Sequence, residues 1–517
     1  MKKTIALLLF ATLGCSVYAK EKEKNRRPNI IFLLTDDQRY DALGCMGNTE
    51  IKTPNIDRIA SKGVRFTRHY NTTAICMASR ASIMTGLYEH KHGCNFMHGA
   101  MYPDRFDNSY PMILKREGYA VGFAGKFGFG VKESTDYLHN SYEDLPVERF
   151  DWWAGWTGQG YYETHKNKYL TQYAKAYPHV SSALGAAGSD FIKKYGDKNT
   201  PFCLSISFKA PHTPVRPDPQ FDDVYADTKF TPSQNYWVDN GAHLAEQSRG
   251  GRQFKILKNQ WKPGVYDKSL AKYYQQIYGV DQAVGMLVET LEKEGIADNT
   301  IIIYTSDNGY HCGSHGFGGK VLTYEEGARA PLIIYSPKAK AKRRECNALT
   351  GNIDMAPTIL NLADVKVPKN MDGVSLKKLL DNPEREMKDH QMLIQAWGSD
   401  PIHSLSVVSN RYKYTYWPYG EGMAPQEELF DLKVDPYEMR NISGEKGSHK
   451  ILKKMRKAYD KYVAGWESEA VSVNSYKQYA QIYNRHIPWA DKKELMTYND
   501  YWTNKIKAKR LAKRKKR

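Results

Sequence analysis

The sequence lacks an apolar run long enough to cross a membrane as a helix. The longest run near the start, IALLLFATLG, has about ten residues after two lysines, whereas a membrane-spanning helix needs about 20. A run of this length behind basic residues and ahead of small residues such as Ala19 is typical of a cleaved signal peptide. We therefore predict a signal peptide over residues 1–19 and a periplasmic or secreted protein. Lipoprotein processing at Cys15 is the alternative, although Thr12 stands where an aliphatic residue is usual.

Cysteine is also scarce, with seven among 517 residues. The cysteines are widely scattered and no two have the spacing of a zinc knuckle, which argues against a small fold stapled by disulfides or zinc. A chain of this length can bury a large core and usually divides into a large domain and a smaller one. With 41% apolar and 12% aromatic residues, the composition is that of a globular protein rather than of a disordered chain.

Acidic residues are too few to balance the basic ones, which leaves a formal net charge of +18. Half of this excess lies in residues 505–517, where nine residues are Lys or Arg and none is acidic. Without that segment the charge is a mild positive bias, which suits an anionic substrate and does not require nucleic acid. We predict no nucleic-acid partner. The terminal segment is expected to be a solvated charge run, with a polyanion or surface anchor as the alternative.

Several short apolar runs predict buried strands. They are continuous rather than alternating, which indicates a sheet covered on both faces. A helical repeat of apolar residues covers residues 272–294, and Gly295 ends it. We predict an α/β fold with a large mixed, mostly parallel sheet sandwiched by helices over residues 20–388. The predicted strands are residues 29–34, 120–124, 202–207, 300–305 and 332–335.

The pattern changes after about residue 388. Residues 404–417 form shorter alternating segments, which are typical of half-buried strands, and a helical pattern covers residues 450–466. We predict a smaller C-terminal α+β subdomain with an antiparallel sheet over residues 389–490. A basic tail over residues 491–517 is predicted to follow it.

Oxygen-bearing side chains follow two of the predicted strands. Asp36 and Asp37 come directly after the first strand, and Asp307 and Asn308 follow a later one. Because active sites of such sheets lie at the carboxyl ends of strands, we expect these side chains to lie close together. Carboxylate and amide oxygens from two strands favour a hard cation of the calcium type. Either pair alone would more often be a turn or a helix cap.

A third motif is CMASR over residues 76–80, which we interpret as a loop entering a helix. A lone cysteine there would more often be a small buried side chain. The motif occurs together with RPNIIFLLTDDQRYDALGCMG, TPNIDRIASKGVRFTRHY, KAPHTP, SDNG and ELFDLKVDPYEMRN. Together these segments resemble the type I sulfatase family of the alkaline-phosphatase-like superfamily, over nearly the whole chain to about residue 445.

The resemblance implies that Cys76 is not used as a thiol. It is expected to be oxidised to formylglycine (3-oxoalanine), whose hydrate is the nucleophile in this family. Ala78 replaces the family's commoner proline in the motif. That form resembles bacterial members matured by a radical-SAM enzyme, so a formylglycine-generating maturase of this type is an expected partner.

The resemblance also implies roles for charged side chains. A sulfate ester is an anion, and it resists attack unless its oxygens are neutralised and its leaving group is protonated. Arg80 is expected to orient the formylglycine, and His212 to act as the general acid. Lys126 and Lys320 are expected to hold the sulfate, although each alone could be an ordinary surface lysine. The implied Ca²⁺ ligands are Asp36, Asp37, Asp307, Asn308 and the modified Cys76.

One position departs from the family pattern. The family usually has Lys-x-His where this chain has Gly128 two residues after Lys126. The missing imidazole puts the release of sulfate in doubt, because regenerating the aldehyde requires removal of a proton. His311 and His315 are candidate replacements, and they are otherwise expected to contact the substrate. His165 is a more remote candidate.

We predict an exported sulfatase that acts on a sulfated sugar or polysaccharide. Export, the mild positive charge and aromatic segments such as DWWAGW over residues 151–156 fit a sulfated sugar that stacks on aromatic faces. Such aromatic clusters are more often part of a core. The alternatives are an arylsulfatase, a phosphoester or phosphonate hydrolase of the same superfamily, and a non-catalytic relative that binds sulfated glycans. The fold alone does not separate these functions.

Overall fold

The computed structural model describes residues 26–135, 141–196, 200–341 and 344–496. The predicted signal peptide, Cys15 and most of the predicted basic tail lie outside the described residues. Within the described part of the chain, no helix combines the length and the apolar character needed to cross a membrane. Of the cysteines in that part, Cys45, Cys76, Cys94, Cys203 and Cys312 form no disulfide.

The described residues form three sheets and a set of helices. Short 3₁₀ turns connect many of these elements. The strands are β1 Asn29–Thr35, β2 Val64–Phe66, β3 His69–Tyr70, β4 Ala120–Lys126, β5 Trp152–Trp156, β6 Phe202–Ser207, β7 Thr300–Ser306, β8 Leu332–Tyr335, β9 Glu345–Cys346, β10 Thr350–Gly351, β11 His390–Gln395, β12 Ser404–Ser409, β13 Tyr412–Trp417 and β14 Gln426–Asp431. The α-helices are α1 Pro54–Lys62, α2 Cys76–Thr85, α3 Glu89–His92, α4 Pro103–Phe106, α5 Tyr110–Arg116, α6 Val180–Tyr195, α7 Arg252–Lys255, α8 Tyr266–Lys293, α9 Glu325–Ala328, α10 Met355–Leu362, α11 Lys377–Asp381, α12 His449–Glu469 and α13 Tyr479–Ile482.

The largest sheet of the described residues has eight strands in the order β5-β4-β6-β1-β7-β8-β2-β9. Neighbouring strands from β5 to β7 are parallel. β8 pairs antiparallel with β7 and β2, which makes the sheet mixed. The five predicted strands correspond to β1, β4, β6, β7 and β8, so the predicted mixed, mostly parallel α/β fold is confirmed.

Helices cover both faces of the large sheet. Alternate residues of β1 belong to two separate apolar cores, with Ile31 and Leu33 on one face and Ile30 and Phe32 on the other. The first core includes apolar residues of α6 and α8. The second includes those of α5 and α10. A strand buried on both faces needs a continuous apolar run, which is the pattern seen in the sequence.

The DWWAGW segment forms the edge strand β5. Trp156 is buried in the first core. Trp153 stacks on Phe123 of the neighbouring strand, with ring centroids 5.1 Å apart. These rings therefore pack against the sheet, as the core interpretation of the segment predicts, and not as an open stacking surface.

A four-stranded antiparallel sheet, in the order β11-β12-β13-β14, lies towards the end of the chain. The long helix α12 packs on it through Tyr459 and Trp466, which share a core with β12 and β13. The predicted C-terminal antiparallel sheet is confirmed. On its other side, Lys413 is buried and pairs with Glu325 of α9 at 2.7 Å and with Glu438 at 2.8 Å. These ion pairs tie the small sheet to the large α/β part.

Candidate active site

The oxygen-bearing side chains lie together at the carboxyl ends of two neighbouring strands. β1 and β7 are parallel, and Thr35 pairs in register with Ser306. The next residues in each chain segment therefore meet: Asn308 Nδ2 donates to Asp37 Oδ1 at 2.7 Å, and the Asp37 backbone N–H donates to Asp307 Oδ1 at 3.3 Å. The predicted juxtaposition of the two motifs is present.

The chemistry of this cluster fits a hard cation. Asp36 Oδ1 and Asn308 Oδ1 are buried oxygens with no hydrogen-bond donor in the described part of the chain. Asp37 is held at a positive φ of 73°, a backbone conformation that is uncommon for a residue other than glycine and is often found at functional sites. Buried acceptors without donors are costly. A bound cation with a preference for oxygen ligands would satisfy them.

The closeness of the Asp36 and Asp307 carboxylates also favours a bound cation. Burial alone would raise the pKa of Asp36, but Lys126 and the other cationic neighbours lower it well below its ordinary value. Burial and the charge of Asp36 raise the pKa of Asp307 to about 6, against the opposing effect of Arg80. The cluster thus holds several carboxylates in contact with each other, and a divalent cation would stabilise their charged forms.

Arg80 connects the helix of the CMASR motif to the cluster. It lies on α2 with only 1% of its surface exposed. Its Nε donates to Asp307 Oδ2 at 2.7 Å, and its Nη1 donates to the backbone oxygen of Lys126 at 2.5 Å. Burial by itself would lower the pKa of Arg80, but Asp307 and Asp36 raise it. The guanidinium is therefore a fixed positive charge in the centre of the site.

Cys76 is the first residue of α2 and is buried. The first backbone N–H groups of a helix have no partner within the helix, and they favour an anion in front of it. Cys76 is therefore placed at the positive end of a helix whose next turn carries Arg80. This position agrees with the loop-to-helix interpretation of the motif.

Two lysines from different parts of the chain contact the carboxylates. Lys126, at the end of β4, forms an ion pair with Asp36. Its Nζ also donates to Gln159 Oε1 at 2.8 Å. Lys320 forms an ion pair with Asp37, and its Nζ lies 3.6 Å from Asp36 Oδ1. The two ammonium groups predicted to hold an anion therefore lie at the same cluster.

His212 lies at the edge of the cluster, with 14% of its side chain exposed. Its Nε2 is 3.8 Å from Asp37 Oδ2. Its Nδ1 is 2.5 Å from the Thr213 oxygen, and the Tyr162 hydroxyl donates to its backbone oxygen at 2.5 Å. Burial lowers the pKa of His212 to about 4, against the opposing effect of the Asp36 and Asp37 carboxylates. Nε2 is the nitrogen that faces the site.

Two site residues were not predicted from the sequence. Lys209 is buried and its Nζ donates to the backbone oxygen of Gln159 at 2.9 Å. Burial and the charge of Lys126 lower the pKa of Lys209 to about 8. Lys209 begins the KAPHTP segment, so its closeness to His212 in sequence was an available signal. Gln159 lies in a loop without a recognisable motif, and no local pattern indicates it.

The histidines expected as substrate contacts lie apart from this cluster. His311 and His315 have 0% of their surface exposed. His315 Nε2 is 3.0 Å from Asn235 Nδ2, and its Nδ1 is 3.0 Å from His243 Nε2. Neither ring lines the cavity beside His212. Their predicted role stays a prediction without support from the geometry, and the exposed His165 also does not line that cavity.

Gly128 occupies a position with no room for a side chain. Its φ is 97°. A Cβ built there would lie 2.5 Å from Arg80 Cδ. The close passage of the Arg80 side chain therefore requires glycine at this point, and the backbone conformation favours it as well.

The fold is of the alkaline-phosphatase-like class. The candidate site places a cluster of carboxylates and several cationic side chains at the carboxyl ends of the central strands. A family model described as Sulfatase matches residues 28–365, more than half of the chain. The chain therefore belongs to the sulfatase family and is a sulfuric ester hydrolase, as the resemblance predicts. A second model, described as N-sulphoglucosamine sulphohydrolase, C-terminal, matches residues 313–464.

Several curated proteins are similar to this chain over most of its length. An N-acetylglucosamine-6-O-sulfatase of Bacteroides thetaiotaomicron is 30% identical over 504 residues, covering 85% of this chain and 87% of the relative. The human N-acetylglucosamine-6-sulfatase is 32% identical over 488 residues, covering 85% of each chain. An ulvan-active sulfatase of Formosa agariphila is 26% identical over 509 residues, covering 94% of this chain and 92% of the relative.

Solved structures share the same architecture. One, a protein in complex with its substrate D-glucosamine-2-N,6-O-disulfate, has a TM-score of 0.70 and 25% identity, covering 86% of this chain and 99% of its own. A phosphonate monoester hydrolase of Agrobacterium radiobacter has a TM-score of 0.69 and 21% identity, covering 84% and 94%. The second likeness concerns the fold alone, because one fold can carry different ester chemistries.

Proposed function

We propose that this sulfatase removes sulfate from a sulfated sugar, with a 6-O-sulfated glucosamine unit as the first candidate. The observation that carries the proposal is the convergence of Arg80, Lys126, His212 and Lys320 on one buried oxygen cluster. The two N-acetylglucosamine sulfatases among the relatives and the glucosamine disulfate complex support the sugar.

The oxygen cluster is proposed to hold Ca²⁺, with Asp36, Asp37, Asp307 and Asn308 as ligands. When bound, the cation adds two positive charges beside the substrate's sulfate. Cys76 is proposed to be converted to formylglycine, whose hydrate supplies the nucleophile and a further oxygen ligand. The donor set supports this assignment, since it contains carboxylate and amide oxygens and two of them are buried without a hydrogen-bond donor among the described residues.

The surrounding side chains bind and orient the anion. The formal charges of three carboxylates, Asp36, Asp37 and Asp307, are balanced by those of three cations in the same ion-pair network, Arg80, Lys126 and Lys320. A divalent cation would make the network positive, which suits a sulfate ester. Lys126 ends β4 and Lys320 lies in the connection between β7 and β8, so their Nζ groups can bind different sulfate oxygens.

His212 is proposed to protonate the departing sugar oxygen. Its pKa of about 4 leaves the ring neutral at pH 7 before substrate binds. An anionic ester beside the ring brings negative charge next to the imidazole and favours its protonated form. We infer that Nε2 gains a proton together with the substrate and donates it to the leaving hydroxyl. The contact between Nδ1 and the backbone oxygen of Thr213 orients the ring.

The organisation of the full chain completes the proposal. We propose a signal peptide over residues 1–19 and export to the periplasm or the exterior, with lipoprotein processing at Cys15 as the alternative. The catalytic domain is proposed to cover residues 20–388 and the C-terminal subdomain residues 389–490. Maturation of Cys76 is assigned to a radical-SAM maturase because Ala78 stands in the CMASR motif.

A panel of sulfated glycans tests the proposed substrate. The protein is produced in a host with the maturase, conversion of Cys76 is verified by mass spectrometry, and released sulfate is measured on 6-O-sulfated N-acetylglucosamine, on other sulfated sugars and on an aryl sulfate. The matching phosphate esters are the control for the phosphonate hydrolase alternative. We expect the highest kcat/KM on a sulfated sugar. Faster hydrolysis of the phosphate esters would contradict the proposal, and glycan binding without turnover would support a non-catalytic relative.

A further inference from the structure

The cavity beside His212 is lined by more than the residues expected to bind the sulfate. We call the part beside Asp37, His212 and Lys320 its catalytic end. Residues from two other parts of the chain line the same cavity: Arg252, Gln253, Leu257 and Trp397. Arg252 begins the short helix α7, and Trp397 follows β11 of the C-terminal sheet. A ligand bound in this cavity through its sulfate ester therefore shares it with these residues.

Arg252 brings an uncompensated positive charge to this cavity. Its side chain is exposed where it lines the cavity. In the described part of the chain it has no carboxylate partner and no side-chain hydrogen bond. A guanidinium offers a planar fork of donors that matches a sulfate or a carboxylate.

Two other residues of the cavity wall do not offer their polar atoms to a ligand. Gln253 is only 3% exposed, and its Oε1 is buried without a partner among the described residues. The indole Nε1 of Trp397 is likewise buried. These side chains shape the wall, and the exposed charge of Arg252 is the group that a ligand can reach.

The backbone next to Arg252 is packed against the C-terminal part. A Cβ at Gly250 would lie 2.5 Å from Cβ of Pro401, and one at Gly251 would lie 3.0 Å from Cγ2 of Ile402. The two glycines therefore allow a very close approach of this segment to the loop after β11. The position of Arg252 relative to the catalytic end is fixed by that packing.

We propose that Arg252 forms a second anion-binding subsite, in a cavity whose wall includes Gln253 and Trp397. It takes another acidic substituent of the substrate while the sulfate ester occupies the catalytic end. The substituent is a second sulfate on the same sugar or the carboxylate of an adjoining uronic acid, since both present oxygens to a guanidinium fork. This inference rests on the proposed sulfated-sugar function and deepens it, because it makes the preferred substrate doubly anionic.

The test compares Arg252→Ala with Lys255→Ala, a matched control. Lys255 is an exposed cation on the same helix that does not line the cavity. The substrates are 6-O-sulfated N-acetylglucosamine, glucosamine 2-N,6-O-disulfate and a disaccharide that joins the 6-sulfated sugar to a uronic acid. We expect Arg252→Ala to lower kcat/KM about 10- to 100-fold on a doubly anionic substrate, the loss typical of one charge-assisted hydrogen bond. The monosulfated sugar and the control variant should change less than about twofold.

A binding measurement keeps the test independent of turnover. Calorimetric titration of the Cys76→Ala protein, with and without Arg252→Ala, gives the Kd for the monosulfated and disulfated sugars. The disulfate should bind more tightly, and Arg252→Ala should abolish that advantage. In the kinetic test, the source of the acidic group is identified by whether kcat/KM of Arg252→Ala falls more on the disulfated sugar or on the disaccharide with a uronic acid.

Two results would overturn the inference. An equal loss on monosulfated and doubly anionic substrates would show that Arg252 acts on the ester itself or on the fold. An unchanged preference in both kinetics and binding would show that no such subsite exists. If the wild-type protein hydrolyses no sulfated sugar but its binding preference for the disulfate depends on Arg252, the proposed function fails and the subsite stands.

Discussion

Gly128 illustrates how one residue can be fixed by the packing of another. The missing family histidine leaves no empty space, because a Cβ at this position would lie 2.5 Å from Arg80 Cδ. Placing histidine there would displace Arg80 rather than restore an imidazole to the site. The role of the missing side chain must therefore be filled from elsewhere or be absent.

Gly128→Ala should slow the enzyme, because the added methyl group displaces the Arg80 side chain. Gly47→Ala is the matched control, because Gly47 has a similar φ of 94° but nothing within 4 Å of a built Cβ. Both variants should lose about 1 kcal/mol of unfolding free energy from the positive φ. Only Gly128→Ala should also lose about 100-fold in kcat/KM, since small displacements of orienting groups are costly. Equal activities of the two variants would contradict this account of the glycine.

His212→Asn should slow substrates according to their leaving group. A sugar hydroxyl needs a proton as it departs, so kcat on a sulfated sugar should fall about 10²- to 10⁴-fold. An aryl sulfate with a good leaving group should lose much less. His165→Asn, at an exposed histidine, is the control and should change neither rate. Equal losses on both substrates would show that His212 has a structural or binding role instead.

The proposed cation site is assembled from residues at the carboxyl ends of β1 and β7. Its effect on stability can be separated from that of surface charge. Calcium should raise Tm and chelation should lower it, because only the folded chain assembles the four oxygen ligands. Asp36→Asn should abolish most of this calcium-dependent shift. Asp298→Asn should retain it, since Asp298 is exposed before the other end of β7. A shift preserved in Asp36→Asn would place the cation elsewhere.

The strands and their polar ends could be predicted from the sequence because each signal is local. A strand buried on both faces must be apolar throughout, and Asp36 or Asp307 marks the point where it leaves the core. Helix α8 was predicted to begin at residue 272 but begins at Tyr266. Tyr266 packs on Tyr236 with ring centroids 4.4 Å apart. That contact extends the helix into a segment without the apolar repeat.

Other parts of the site depend on tertiary packing that no local pattern reports. His311 and His315 follow the SDNG motif directly, so sequence distance suggests that they line the site. The chain turns between them, with positive φ at Cys312 and His315. These turns place His315 beside Glu326, 3.6 Å from its Oε2. Arg252 joins the cavity from a segment that has no motif of its own.

At the scale of the whole molecule, buried histidines link stability to pH. Burial lowers the pKa of five of them far below the ordinary value of 6.5, so they stay neutral in the folded chain while the unfolded chain binds protons. The contribution of these histidines to the free energy of unfolding should therefore be greatest above about pH 6.5. It should fall as pH decreases towards 4, by up to about 1.4 kcal/mol per pH unit for each histidine. The histidines are His69, His92, His98 and His311, with pKa values of about 3, and His403, with about 4.

Tm measured from pH 8 to pH 4 checks this dependence. His69→Gln should make the decline shallower by about one proton, because it removes one group that only the unfolded state protonates. His449→Gln, at an exposed helix position, should leave the slope unchanged. A constant Tm over this range, or equal slopes for the two variants, would contradict the assignment.

The central claim is that a formylglycine made from Cys76 hydrolyses a sulfate ester of a sugar. The most direct measurement is the rate of sulfate release from 6-O-sulfated N-acetylglucosamine, made on a series of preparations whose converted fraction of residue 76 is determined by mass spectrometry. The account predicts that the rate rises in proportion to that fraction and is absent in Cys76→Ala. Full activity in protein that carries only unmodified Cys76 would contradict it.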